Sequence, residues 1–288
     1  MKRVIVTVIL ALVLLSTVVL AGCAPTEIRT NNFTVGLNPS VEVEVGNGNV
    51  SLVIGSDGEI SVTANLKNPD RIEYSISQEG NRVTLEAKTR GGSRADVTIT
   101  VPANTEFELT TGNGNVDVTG VQASGLVNSG NGSITLEQVI GDVTGSIGNG
   151  KMTLRDVEGI YVLSTGNGDI QLAGATGSFI LSIGNGDIRL SEGKGSVVLS
   201  VGNGSISFEG ELDPGSNNVI SIGNGPVTVE ITGSPSVSLD LEIDDRGKIR
   251  VDLPVAVSEQ SEYRLIGTIG DGESTLDVHT GSGNITIR

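Results

Sequence analysis

Few residues of this chain could do chemistry, and their spacing is regular. One cysteine, Cys23, and one histidine, His279, are the entire thiol and imidazole supply of 288 residues. What recurs is Gly-Asn-Gly, beginning at Gly112, Gly130, Gly148, Gly166, Gly184 and Gly202, each 18 residues after the last. Further copies begin at Gly46 and Gly223, and a relaxed form, Gly281-Ser282-Gly283, stands near the C-terminus. Calcium is the first chemistry to weigh, because secreted calcium-binding solenoids repeat a glycine-rich corner followed by an aspartate. Asp169 and Asp187 follow the corner here, but Asn115, Ser133, Lys151, Ser205 and Pro226 hold that position in other copies. A lysine within the column would repel the ion, leaving only an isolated site near Asp244, Asp245 or Asp271. Hydrolysis on a β-helix needs clustered acids or bases on one exposed face. The outward position after each corner reads Asp117, Thr135, Thr153, Gln171, Arg189 and Ser207, and no column concentrates carboxylates. His279 lies on an alternating terminal strand with no obvious nucleophile near it in sequence, so a triad or a histidine-based metal site is unsupported. The columns also lack the sustained Thr-x-Thr array of an ice-binding face. No catalytic residue, metal ligand or cofactor is called for.

Cys23 has a different reading. Lys2 and Arg3 precede an uncharged apolar run over residues 4–19, closed by Leu20-Ala21-Gly22-Cys23. A positive start, an apolar stretch and small residues at the cut make a secretory signal; an uncleaved anchor helix is the competing reading. Leu20–Cys23 resembles the lipobox of bacterial lipoproteins. That resemblance implies diacylglycerol transfer to the Cys23 sulfur, cleavage before Cys23 and acylation of the new amino group. Residues 1–22 are then a signal peptide, and residues 23–34 the lipidated cysteine and its tether. Two or three acyl chains anchor durably where one does so marginally. The expected location is outside the cytoplasm, at the outer face of the cell membrane or at an outer membrane, on the cell surface or in the periplasm. With one cysteine no intrachain disulfide can form.

After cleavage, 16 Lys and Arg face 34 Asp and Glu, a net charge of −18. Such a field disfavours nucleic acid, whose binding depends on basic side chains neutralising phosphates. It equally disfavours anionic lipid headgroups unless an acyl chain brings the protein to them. The acidity also keeps an exported, edge-rich β-protein soluble. Tryptophan is absent and aromatics are 2% of the chain, so a sugar-binding cleft built on aromatic platforms is not expected.

The elements that must position these residues are strands. After each corner apolar and polar residues alternate, as in Val116 and Val118, Ile134 and Leu136, Met152 and Leu154, Ile170 and Leu172, Ile188 and Leu190, Ile206 and Phe208. Period two marks a strand with one buried face. A second strand follows, as at Tyr161–Thr165, Phe179–Ile183 and Val197–Val201, so 18 residues are read as two short strands and two turns. Such strands bury their apolar faces only by stacking on equivalent copies. The fold expected is all-β: a parallel β-solenoid with 18-residue coils in the centre, strict over 112–222, and longer irregular coils or hairpins at both ends. At the corner a sharp turn needs positive φ, which Gly accepts and Asn tolerates best among the rest. Stacked corners place Asn113, Asn131, Asn149, Asn167, Asn185, Asn203 and Asn224 in one column, a structural ladder of side-chain amides. Tyr161 and Phe179, 18 apart, read as a core stack. Alternating segments at 41–45, 59–63, 71–77, 82–87 and 96–101 form an N-terminal cap, and 248–253, 274–280 and 284–287 close the other end. No linker interrupts 35–288, which is one domain.

Three stretches resemble the bacterial putative-adhesin family of exported strand-repeat domains: Val97-Thr98-Ile99-Thr100-Val101-Pro102, the Gly-Asn-Gly-x-Ile-x-Leu units, and Gly270–Arg288. The resemblance implies a right-handed parallel solenoid, the hand also favoured for crossovers between parallel strands; it brings no catalytic or binding residues. The function expected is a membrane-anchored, non-catalytic binding, adhesion or structural module of the cell envelope. Its partners would be membrane lipid through acylated Cys23 and an unidentified envelope or extracellular component. Envelope-stress sensing is the alternative, and a polysaccharide-active β-helix enzyme a more distant one.

Overall fold

The computed structural model describes residues 25–288. The expected signal peptide over residues 1–22 and the expected lipidation site Cys23 lie outside the described residues. Within them, alternation becomes burial: Ile170 and Leu172 are in the core while Gln171 between them is not. One apolar cluster runs from Val35 to Ile287. Parallel pairing keeps a constant register, Val116 with Ile134, Ile134 with Met152, Met152 with Ile170 and Ile170 with Ile188. Each step joins residues 18 apart, so the sequence period becomes the sheet spacing of about 4.8 Å. Tyr161 and Phe179 stack inside, their ring centroids 5.9 Å apart and their planes at 21°. The Tyr161 hydroxyl donates to the Val139 carbonyl at 2.8 Å, which satisfies a polar group that burial would otherwise leave unpaired.

Two details of the coil differ from the sequence reading. The positive φ of the corner falls on the second glycine, from 133° at Gly168 to 155° at Gly114, and the asparagine before it lies outside the left-handed region. The first glycine is needed for proximity, since a Cβ on Gly166 would sit 2.7 Å from the Gly148 carbonyl oxygen. With both glycines taking the conformational and steric load, asparagine is free to point outward. The coil also has a third, very short side. The chain turns through Gly120, Gln138, Asp156, Gly174 or Glu192, with φ between 52° and 80°, and sends Val121, Val139, Val157 or Ala175 inward. One inward residue per coil cannot display period two, so the two-strand, two-turn reading missed it.

At both ends the stacking order departs from the chain order. Strand Ser40–Asn47 lies between Arg82–Thr89 and Glu106–Asn113, and Val50–Ile54 lies between Arg94–Val101 and Val116–Thr119. The coil containing Gly46 therefore sits directly on the coil containing Gly112, although 66 residues separate them. At the other end Ser274–Ser282 inserts between Asn217–Asn224 and Val237–Ile243. Ile285–Ile287 likewise inserts between Val227–Ile231 and Ile249–Val251. Antiparallel strands cover the outermost coils. Ile72–Glu79 pairs with Arg82–Thr89, and Glu59–Lys67 with Arg94–Val101. Arg264–Ile269 pairs with Val237–Ile243 and carries Ala256–Gln260 on its far edge.

The tether expected over 23–34 is corrected. Thr26–Thr34 is a nine-residue strand registered on Glu59–Lys67. Asn31 is buried, and Phe33 packs against the core. The Glu27–Arg29 ion pair closes at 2.7 Å, and the Arg29 guanidinium lies 5.1 Å from the centre of the Tyr74 ring. Burial pushes the Tyr74 phenol up to about 12, against the opposing pull of Arg29. Three of the positions that line up with Phe33 are Glu27, Arg29 and Asn31, so hydrophobic alternation gave no sign of this strand. Charged residues turned toward the end of a sheet also discourage edge-to-edge association.

Candidate binding face

The corner asparagines form one continuous, one-way column. Asn113 donates its side-chain amide to Asn47, Asn131 to Asn113, Asn149 to Asn131, Asn167 to Asn149, Asn185 to Asn167, Asn203 to Asn185 and Asn224 to Asn203, all at 2.8 to 3.0 Å. Hydroxyls terminate it: Asn47 donates to Thr89 Oγ1 at 2.7 Å, and Ser282 Oγ donates to Asn224 at 3.1 Å. Asn47, Thr89 and Ser282 escape a sequence reading because the first belongs to the outlying copy and the other two are not asparagines. Every amide inside the column gives one hydrogen bond and accepts one, so the column ties each coil to the next.

The position once weighed for calcium is occupied in the same way. Asp96 Oδ1 accepts from the Asn49 backbone N–H, Asn49 from Asn115, Asn115 from Ser133, Asp169 from Asp187, and Asp187 from Ser205. Burial pushes the Asp96 carboxyl up, but hydrogen bonds from Arg94 and the Asn49 N–H outweigh it and hold the group below its ordinary value. Among the described residues no group of three or more His, Cys, Asp or Glu is arranged to hold a metal. His279 does have a partner that sequence spacing hid: its Nε2 lies 3.0 Å from Asp244 Oδ1, and Ser221 is its neighbour on the adjacent strand. No hydrogen bond joins Ser221 to His279, and the pair is exposed on an open face. A nucleophile activated by a base needs that contact.

What the outer surface does present is a striped sheet face. Val162, Ile180, Val198 and Val219 stack in register, and each is 39 to 42% exposed. Leu126 and Thr144 extend the stripe at one end. Two residues along each strand, a second column reads Asn128, Ser146, Ser164, Ser182, Ser200 and Ser221. Charge begins where the stripe stops. Beyond Leu126 the apolar column continues as Glu108 and Glu42, and beyond Val219 as Asp277 and Asp240. A groove of about 350 Å³ opens at the Leu126 end, walled by Glu106, Glu108 and Asp142; its one cation, Arg82, is held by Glu42 at 2.6 Å. Such a face can bind by shape, apolar contact and hydroxyl hydrogen bonds, with acids bracketing it.

The outward positions on the strand after the corner, Asp117 through Ser207, are mixed and give no sign of this stripe. The stripe lies on the strand before the corner. Among the described residues no helix is long and apolar enough to cross a membrane.

Comparison with curated proteins finds no match. Solved structures do share extended similarity. A putative adhesin from Bacteroides fragilis is 14% identical over 91% of this chain and 97% of its own, with a TM-score of 0.38. A putative lipid binding protein from Parabacteroides distasonis is 10% identical over 91% of this chain and 97% of its own, with a TM-score of 0.31. A putative cell adhesion protein from Clostridium sporogenes is 10% identical over 90% and 98%, with a TM-score of 0.23. The family model that describes the Toastrack DUF4097 domain matches residues 38–288, taking in all the central coils and both reordered ends, and the chain belongs to that family.

Proposed function

We propose that this protein is an exported, lipid-anchored, non-catalytic binding module of the cell envelope, whose working surface is the striped face from Leu126 to Val219. The observation that carries the reading is the exposed column Val162, Ile180, Val198 and Val219 beside an uninterrupted column of serines. Aliphatic side chains in register across four strands form a contiguous apolar patch, and contiguous patches mark interaction sites where scattered ones do not. The acids at both ends disfavour self-association, because a second copy laid on this face in either direction brings like charges together. They favour a partner whose apolar segment is flanked by Lys or Arg. Lipidation at Cys23 supplies the address, and the face supplies the contact.

The test replaces Ile180 and Val198 by serine, the residue that the same strands already carry two positions on, so folding should survive and can be verified by an unfolding curve. Wild type and variant are used to recover partners from matched envelope extracts, and the mature N-terminus is weighed by mass spectrometry for acyl groups. The expected result is a component retained by wild type and reduced at least tenfold by the variant. Equal recovery by both proteins would remove the face from the mechanism.

A further inference from the structure

We infer that the N-terminal end of the solenoid is a membrane-seating surface, its corner of Lys67, Arg71, Arg90 and Arg94 resting on anionic phospholipid headgroups. The inference builds on the lipid-anchor reading and adds where the bilayer lies.

The geometry starts at the first described residue. The Pro25 carbonyl accepts a hydrogen bond from the Asn68 N–H at 2.8 Å, and Thr26 pairs with Lys67, which pairs with Arg94. Asn68 Nδ2 donates to the Gly92 carbonyl, the Arg71 guanidinium to the Gly91 carbonyl, and the Arg90 N–H to the Arg71 carbonyl. The chain start and the turns 67–71 and 90–94 are therefore one bonded corner. Only Ala24 stands between Pro25 and Cys23, and two residues of extended chain reach about 7 Å. An acyl chain on Cys23 inserted in a bilayer holds this corner within reach of the headgroups, and the charges on the corner then decide whether it rests on them or swings away.

The charges facing that bilayer are favourable here and unfavourable elsewhere. Three acids share the corner, Asp70, Glu73 and Asp96. Glu73 is bound by Arg90 and Asp96 by Arg94, while Lys67, Arg71 and Asp70 have no ion-pair partner among the described residues, so the corner keeps an excess of one positive charge. Residues 102–222, by contrast, carry four Lys and Arg against thirteen Asp and Glu. An anionic surface repels those coils and attracts the corner, since cations near such a surface each add to binding and the effect fades within a Debye length. The molecule then stands on its N-terminal end. The turn 89–95 is also the foot of the asparagine column, which rises from it toward the C-terminal coils.

The test uses the full lipidated chain, whose acylated Cys23 leaves an introduced cysteine as the single free thiol. Asn65→Cys, on the outer face of strand Glu59–Lys67, and Gln260→Cys, on the opposite end, are labelled with a fluorophore. Each is placed on vesicles containing phosphatidylglycerol and a headgroup-linked contact quencher. The expected result is strong quenching at 65 and essentially none at 260. Quenching at 65 should fall by roughly half or more in pure phosphatidylcholine or in Lys67→Gln/Arg71→Gln, with unchanged acylation and unfolding midpoint. Equal quenching at the two positions, or quenching at 65 that ignores both lipid charge and the double substitution, overturns the inference while the anchor stands. A mature N-terminus without acyl groups, with neither label near the vesicle, overturns the anchor and the seating together.

Discussion

A single asparagine in this protein is a link in a chain of hydrogen bonds, and its removal is felt on both sides. Asn167 donates to Asn149 and accepts from Asn185, whereas Ser282 contributes one bond at the column's end. A hydrogen bond of this kind is worth about 0.5–1.5 kcal/mol net. Asn167→Ala should therefore cost about 1–2 kcal/mol in a urea unfolding experiment, and Ser282→Ala about half as much. Equal costs would mean that the column acts at its corners one by one and not as a linked series. The asparagines could be named from their spacing alone. Their direction could not, because which amide end faces which neighbour depends on the stacking order and on the hydroxyls of Thr89 and Ser282, residues outside the motif.

Between neighbouring coils, side-chain volume is balanced by position. The Phe107 ring occupies the space over Gly125, where any Cβ would collide with it, and the next residues in that column are Val143, Tyr161 and Phe179. Gly125→Ala should thus destabilise by about 1–3 kcal/mol through overpacking. Combining it with Phe107→Leu should recover part of that loss, so that a double-mutant cycle shows a favourable coupling; simple additivity would show that the ring moves aside freely. Much at this level was legible from sequence. The corner glycines, the alternation after them and the 18-residue step gave the central strands and their register. The third side of the coil was hidden because its inward contribution is one residue, and its turn uses a different residue in almost every coil, Gly120, Gln138, Asp156, Gly174 and Glu192, so no recurring motif marks it. The strand Thr26–Thr34 was hidden because its inward row is Glu27, Arg29, Asn31 and Phe33. The striped face was hidden in plain view: Val162, Ile180, Val198 and Val219 read as ordinary strand residues until the register showed that they point outward together.

For the whole molecule, the reordered ends set how it comes apart. Ser274–Ser282 has a parallel neighbour on each side, Asn217–Asn224 and Val237–Ile243. Deleting residues 274–288 should not shorten the solenoid by one coil. It should leave the apolar edges of two coils facing a gap, with loss of a cooperative thermal transition and binding of a hydrophobic dye. A truncated protein that melts in one sharp step would refute this account of the end. No pattern in the sequence indicated the insertion, since pairing between distant segments leaves no periodic trace.

Between those closed ends lies a stretch that repeats with unchanged register. Every central coil has the same corner, the same amide link and the same two neighbours, so a coil could be added or removed in units of 18 residues with both terminal assemblies intact. Each such step changes the height of the stack by about 4.8 Å. The number of repeats therefore acts as a ruler: it sets how far the C-terminal end stands from the N-terminal one, and a lineage could tune that distance by duplicating or losing one short segment of its gene.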